Sequence, residues 1–126
     1  MRIIFAIALL LITNLAAAQD RENWSCEGID LNGFSWNGSE WGRQAFSNRS
    51  WRFTFAGDAS RQTINGQIVD FNCNNDPVVK QCSYHGVYFI FNTDTGKGAL
   101  ADVFGAALNP DDNKQMFVEL VECTES

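Results

Sequence analysis

Four cysteines are the strongest constraint on how this 126-residue chain folds. They allow three pairings. Cys73 ends one predicted strand and Cys82 begins the next, so antiparallel pairing of the two strands would bring their Cβ atoms together. Cys26 and Cys123 lie near the two ends of the domain, where a bridge would join the first and last strands of a sheet that closes on itself. We therefore predict disulfides Cys73–Cys82 and Cys26–Cys123.

The first 18 residues have the pattern of a secretory signal peptide. Arg2 supplies the positive charge, residues 3–12 form an apolar run, and the small side chains of 16–18 suit a signal peptidase. The run is shorter than the roughly 20 residues that a bilayer-spanning helix needs. We expect residues 1–18 to be removed and a single domain, residues 19–126, to work in the periplasm or outside the cell, where disulfides persist.

The charge of the chain narrows its possible partners. Removing residues 1–18 takes one basic residue from the nine and no acid, which leaves eight basic against 15 acidic residues and a net charge of −7. An acidic chain without a Lys/Arg cluster repels polyanions, so we expect no nucleic acid as a partner. After cleavage no segment remains that could span a membrane as a helix. We expect no membrane span in the mature chain.

Alternating apolar and polar residues predict several strands. Trp51 and the two phenylalanines at alternate positions after it should form one face of a strand and lie in the core. Residues 63–73 predict a second strand, in which we interpret Gly66 as a bulge. Residues 84–92 predict a strand that is apolar on both faces and therefore central, and residues 115–123 predict the last strand.

One segment fits two structures. Leu100, Val103 and the alanines of residues 99–108 have helical spacing. Residues 93–98 instead have the composition of a hairpin turn, which favours a strand over about 99–104 followed by a loop or short helix. With the other strands, this predicts an all-β, mostly antiparallel domain, either a small barrel or a sandwich, held by disulfides and with one possible short helix near 99–108.

Three short stretches resemble a family. Trp-Ser-Cys-Glu-Gly at 24–28, Phe-Ile-Phe-Asn-Thr-Asp-Thr-Gly at 89–96 and the closing Cys123 are similar to small exported bacterial β-proteins of unassigned function. Those proteins share an early cysteine, a late hairpin turn that ends in Thr-Gly or Ser-Gly, and a final cysteine. The resemblance implies a β fold and an exported location, and it implies no activity.

The residues offer little support for a metal site or for catalysis. Cys73, Cys82 and His85 could be metal ligands, because Cys82 and His85 have a ligand-like spacing and a third cysteine would complete a zinc site. An oxidising compartment favours disulfides instead, so we expect no metal and interpret His85 as a structural strand residue. The chain has one histidine and no Gly-x-Ser-x-Gly elbow, and its aspartates lie largely in predicted turns. We expect no enzyme, no catalytic residue and no cofactor.

The tryptophans suggest a binding surface. All four lie in the first half of the chain: Trp24, Trp36, Trp41 and Trp51. Trp36 and Trp41 lie in a stretch rich in Gly, Ser and Asn, so they are our candidate binding residues for a saccharide or a small amphipathic ligand, although core packing would also use them. The alternative function is a protein-interaction domain, such as an inhibitor of a basic secreted enzyme, which an acidic domain would attract.

Overall fold

The computed structural model describes residues 21–109, 112 and 114–126, and the predicted signal peptide lies outside them. These residues form nine strands and no α-helix. The strands are β1 (Glu22–Trp36), β2 (Trp41–Ala45), β3 (Ser50–Phe55), β4 (Ser60–Ile64), β5 (Gln67–Cys73), β6 (Val79–Tyr84), β7 (Val87–Asn92), β8 (Lys97–Asp102) and β9 (Gln115–Glu125). In the described part of the chain, no helix is long and apolar enough to cross a membrane.

Eight of the strands close into an antiparallel barrel. The ring runs β1, β3, β4, β5, β6, β7, β8, β9, and pairing of β1 with β9 closes it. The first part of β1 pairs with β3, whereas its last part pairs with β2. β2 therefore lies outside the ring, as a short strand attached to the protruding end of β1. The prediction of an all-β antiparallel domain is confirmed, and of the two architectures the barrel is the one that forms.

Two tight turns differ from the sequence-based prediction. The segment 63–73 is a hairpin, because Asn65 and Gly66 have φ of 49° and 75° and form a two-residue turn between β4 and β5. Positive φ at both central residues is what a type I′ turn requires, so the interpretation of Gly66 as a bulge is wrong. His85 and Gly86, with φ of 35° and 77°, form the same kind of turn between β6 and β7. His85 is therefore a turn residue and not a strand residue.

The segment near 99–108, whose sequence fits both a helix and a strand, forms the favoured arrangement. A strand, β8, covers Lys97–Asp102, and a single 3-10 turn follows at Phe104–Ala107. Leu100 points into the barrel while the alanines on either side of it point outward. Gly98 is required because a Cβ there would lie 2.6 Å from the carbonyl oxygen of Ile90. The prediction of a strand followed by a loop or short helix is confirmed.

Aromatic side chains fill the barrel. Seven of them are buried: Trp24, Trp51, Phe53, Phe55, Phe71, Phe89 and Phe91. The ring centroid of Phe53 lies 4.6 Å from that of Phe55, 4.9 Å from that of Phe89 and 5.4 Å from that of Phe71. Edge-to-face and offset contacts at such distances are favourable beyond the area they bury. A barrel packed in this way leaves its outer surface as the place for a ligand or partner.

Both disulfides have the predicted pairing. Cys26–Cys123 joins directly opposed residues of β1 and β9, and Cys73–Cys82 joins directly opposed residues of β5 and β6. The first bridge fastens the seam at which the barrel closes. Two disulfides and no free cysteine among the described residues are compatible with an oxidising compartment.

Candidate functional site

A buried ion pair anchors the segment that leads from β2 into the barrel. Glu119 is completely buried, and its carboxylate accepts hydrogen bonds from Arg49 Nε at 2.9 Å and Arg49 Nη2 at 3.0 Å. Trp51 Nε1 donates to the same carboxylate at 2.8 Å. The Arg49 guanidinium also lies 5.0 Å from the ring centroid of Phe117. Because Arg49 immediately precedes β3, these contacts hold the start of β3 against β9.

An apolar surface covers the outside of the barrel from β7 to the β1–β2 hairpin. Residues opposite one another in the sheet form its rows, for example Tyr88, Ala101 and Val118 across β7, β8 and β9. We name this surface the outer face, and it consists of Phe34, Trp36, Trp41, Tyr88, Ile90, Ala99, Ala101, Met116, Val118 and Leu120. It is continuous because Phe34 lies opposite Met116, in the row between Val118 and the hairpin tryptophans.

Five large side chains of the outer face are open to solvent. The exposed fractions are 51% for Tyr88, 56% for Ile90, and 49% each for Val118 and Leu120, with 42% for Phe34. The outward side of a water-facing antiparallel sheet normally carries polar residues, so this run departs from the usual alternation. Contiguous apolar surface on the order of several hundred Å² marks an interaction site on a soluble domain.

Trp36 and Trp41 form one end of the outer face. They lie directly opposite each other in the β1–β2 hairpin, with ring centroids 5.6 Å apart and planes 60° apart. Both are half-buried, whereas Trp51 is 3% exposed, as expected for a core residue. The stretch around them, although rich in Gly, Ser and Asn, forms a pair of strands. Whether Trp36 and Trp41 bind a ligand stays a prediction.

A lysine packs against both tryptophans. Lys114 is 6% exposed, and its Nζ lies 5.1 Å from the ring centroid of Trp36 and 5.9 Å from that of Trp41. An ammonium group is attracted by the negative face of an indole ring. The two rings are tilted and the ammonium lies beside both, so they are not a parallel pair between which a flat sugar ring could insert. A ligand would have to lie on their outward surfaces.

Charged side chains border both ends of the outer face. Glu27, Asp30 and Glu122 border the end that includes Ile90 and Leu120, where Lys97 lies opposite Glu122. Arg43, opposite Phe34 on β2, borders the other end. The first end is therefore acidic on balance, and a complementary surface would be basic there.

The residues considered for a zinc site are held apart by other interactions. The Cys82 sulfur is bonded to Cys73, and His85 lies in the turn after β6, where its ring packs edge-on against Tyr84 at 4.6 Å. Within the described ranges, no group of three or more His, Cys, Asp or Glu side chains is placed to hold a metal ion.

The turn between β5 and β6 contains a carboxylate with a shifted pKa. Backbone N–H groups of Val79 and Val78 donate to Asp76 Oδ1 at 2.8 and 2.9 Å. These hydrogen bonds, with that of Val79 the larger contribution, lower the pKa of Asp76 below its ordinary value. Asp76 is fully exposed, and its hydrogen bonds hold the turn.

Sequence reasoning named the two tryptophans but not the rest of the outer face. The sequence signal that could have found the rest was the predicted strand at 84–92, which is apolar on both faces. Tyr88 and Ile90 are the residues of this strand that point outward. No protein-family model, curated protein or solved structure matches the chain. The function is therefore inferred from the outer face.

Proposed function

We propose that the chain is an exported, non-enzymatic protein-interaction domain that binds its partner through the outer face. The observation that carries the proposal is the continuous run of half-exposed apolar side chains across β7, β8, β9 and the β1–β2 hairpin. A small apolar ligand would usually bind in a concave site, and the interior of this barrel is packed with aromatic rings. The flat outer wall suits a protein partner better.

The composition of the outer face supports this proposal. Aromatic residues, methionine and arginine are enriched in the centres of protein interfaces, and Trp, Tyr and Arg are the commonest residues that dominate binding energy. The outer face offers Trp36, Trp41 and Tyr88 as anchors, with Met116 between them and Arg43 at the border. Its carboxylates lie at one edge, where an interface keeps its polar rim.

The charges favour a basic partner over a second copy of the chain. Each copy carries the same net negative charge, so two copies repel each other at long range whatever the orientation of their outer faces. A partner whose apolar patch is bordered by Lys or Arg would be attracted at long range and matched at Glu27, Asp30 and Glu122. A basic secreted enzyme inhibited by the domain is such a partner.

Site-specific photo-crosslinking in cells that export the protein tests the proposal. A benzoylphenylalanine at Tyr88 should give a discrete protein adduct, whereas the same probe at Ile68 should not. Ile68 is the matched control because it is 60% exposed but lies on β5, on the opposite wall of the barrel. Adding Leu120→Asp should abolish the Tyr88 adduct. Equal adducts at both positions, or none at Tyr88, would refute the proposal.

A saccharide site at Trp36 and Trp41 is the second candidate function. The paired, half-buried indoles favour it, since aromatic faces stack on sugar rings. Titration of the intrinsic tryptophan fluorescence with soluble oligosaccharides tests it. A saturable change that is lost in Trp41→Ala but kept in a variant of the far wall, Ile68→Thr, would support this candidate, and a flat titration would refute it.

A further inference from the structure

One strand of the sheet has an open edge. Each strand of the barrel ring has a neighbour on both sides, whereas β2 pairs only with β1 among the residues that the structure describes. An unpaired edge presents backbone N–H and C=O groups that can accept another strand. The edge lies at the end of the outer face, next to Trp41.

The hydrogen bonds of the hairpin identify which groups face the open side. Asn37 N donates to Glu40 O at 3.1 Å, and Phe46 N donates to Leu31 O at 2.8 Å. Bonded and non-bonded pairs alternate along an antiparallel ladder, and these two pairs share one register. The residue pairs of β1 and β2 that lie between these two bonded pairs therefore alternate between non-bonded and bonded.

Three residues of β2 therefore direct their backbone outward. Gly42 and Gln44 lie at bonded positions opposite β1, while the N–H and C=O groups of Trp41, Arg43 and Ala45 point to the open edge. A Cβ added at Gly42 would meet no atom within 4 Å, so there is room for the side chains of an incoming strand.

Arg43 decides what kind of strand fits. It is the central residue of β2, so two copies of β2 paired symmetrically would place one Arg43 beside the other. Like charges directly opposite each other are destabilising, and a charged residue in the middle of an edge strand is a common protection against self-pairing. An acidic residue on the incoming strand would instead be attracted at that position.

We propose that an extended segment of the protein partner adds to β2, with an acidic residue opposite Arg43 and apolar residues two positions away on either side. Those apolar residues lie next to Trp41 and Ala45, on the side of the sheet that carries the outer face. The inference rests on the proposed function, because it names the part of the partner that binds. Backbone pairing supplies the affinity and Arg43 supplies the selectivity.

A synthetic peptide tests the pairing without the natural partner. The probe is acetyl-Thr-Val-Thr-Glu-Thr-Val-Thr-amide, which reads the same in both directions and so suits either strand orientation. In the free protein, the amides of Trp41, Arg43 and Ala45 should exchange hydrogen faster than those of Gly42 and Gln44. At millimolar peptide, exchange of the first three should slow several-fold.

A second peptide with Lys in place of Glu is the charge control. It should bind at least about threefold more weakly, the size expected when an attractive cross-strand pair becomes repulsive. Unchanged exchange on β2 at several millimolar Glu peptide would overturn the inference. Equal binding of the two peptides would overturn the role of Arg43.

Two variants provide a test that uses the protein alone. Arg43→Thr removes the protecting charge, so it should produce a concentration-dependent dimer in sedimentation velocity. Adding Ala45→Pro, which removes an N–H that faces the open edge and leaves the bonds to β1 intact, should restore the monomer. A purely monomeric Arg43→Thr variant would count against an accessible edge. Failure of the Tyr88 crosslink with intact peptide pairing would refute only the proposed function.

Discussion

Removing the buried carboxylate of Glu119 should strongly destabilise the barrel. Glu119→Ala leaves Trp51 Nε1 inside the barrel without its acceptor, which costs about 1–3 kcal/mol. It also leaves Arg49 without its partner, and breaking a buried ion pair costs about 3–5 kcal/mol. The Arg49 side chain is 29% exposed, so water offsets part of that cost. We expect a total of about 3–4 kcal/mol.

Urea unfolding measured by tryptophan fluorescence gives the free energy of unfolding for this test. The slope with urea concentration should stay constant while the midpoint falls, because the change affects stability and not the surface exposed on unfolding. Glu119→Gln keeps an oxygen that can accept from Trp51, so it should cost less than Glu119→Ala. The matched control is Asp70→Ala, which breaks the exposed Arg61–Asp70 pair and should cost less than about 1 kcal/mol.

A double variant separates charge from packing. Arg49→Met with Glu119→Leu replaces both charges by apolar side chains of similar size, and such exchanges are often neutral or stabilising. The double variant should therefore be more stable than Glu119→Ala. If Glu119→Ala costs less than about 1 kcal/mol, or if the double variant is the least stable of the set, the ion pair does not stabilise the barrel as described.

Three further predictions concern the bridges, the tryptophans and one turn. Removing Cys26–Cys123 by paired Cys→Ala changes should lower the melting temperature more than removing Cys73–Cys82 in the same way. A bridge that closes a longer loop stabilises the fold by more, here about 4.7 kcal/mol against under about 3 kcal/mol. Equal losses of melting temperature in calorimetry would contradict this. Trp51→Ala should cost roughly 3–5 kcal/mol and the half-buried Trp36→Ala clearly less, as urea unfolding would show; equal costs would place both in the core. The folded-state pKa of Asp76 is lowered, so its contribution to stability is present above the unfolded pKa and is lost as pH falls through the folded pKa. Asp76→Asn should therefore flatten the melting temperature against pH at acidic pH, and an unchanged curve would contradict the role of its hydrogen bonds.

The sequence was informative where apolar residues alternate and where cysteines fix the topology. β3, β7 and β9 have a buried face of large apolar side chains, which a period of two reveals. β1 was missed because Ser, Asn and Gly interrupt its pattern, and it is held by pairing along both edges rather than by a continuous apolar face. Such long-range pairing leaves no local signal.

The turns show a different kind of error. Asn65-Gly66 is one of the strongest short hairpin signals, but the apolar residues on both sides favoured a single long strand. For the site, Trp36 and Trp41 could be named from composition alone. Val118 and Leu120 could not be joined to Tyr88 and Ile90, because which strands are neighbours in a barrel depends on how the whole ring closes.

The seam between β1 and β9 determines when this molecule can become folded. The two strands lie at opposite ends of the described chain, and their cysteines are separated by 97 residues. During synthesis β1 is made first, yet its partner on that side is the last strand to appear. A chain that still lacks β9 cannot close the ring. Contacts between residues this far apart in sequence also make folding slow. A chain that crosses a membrane before its last strand is made would thus arrive still unfolded, and its barrel would close only after release.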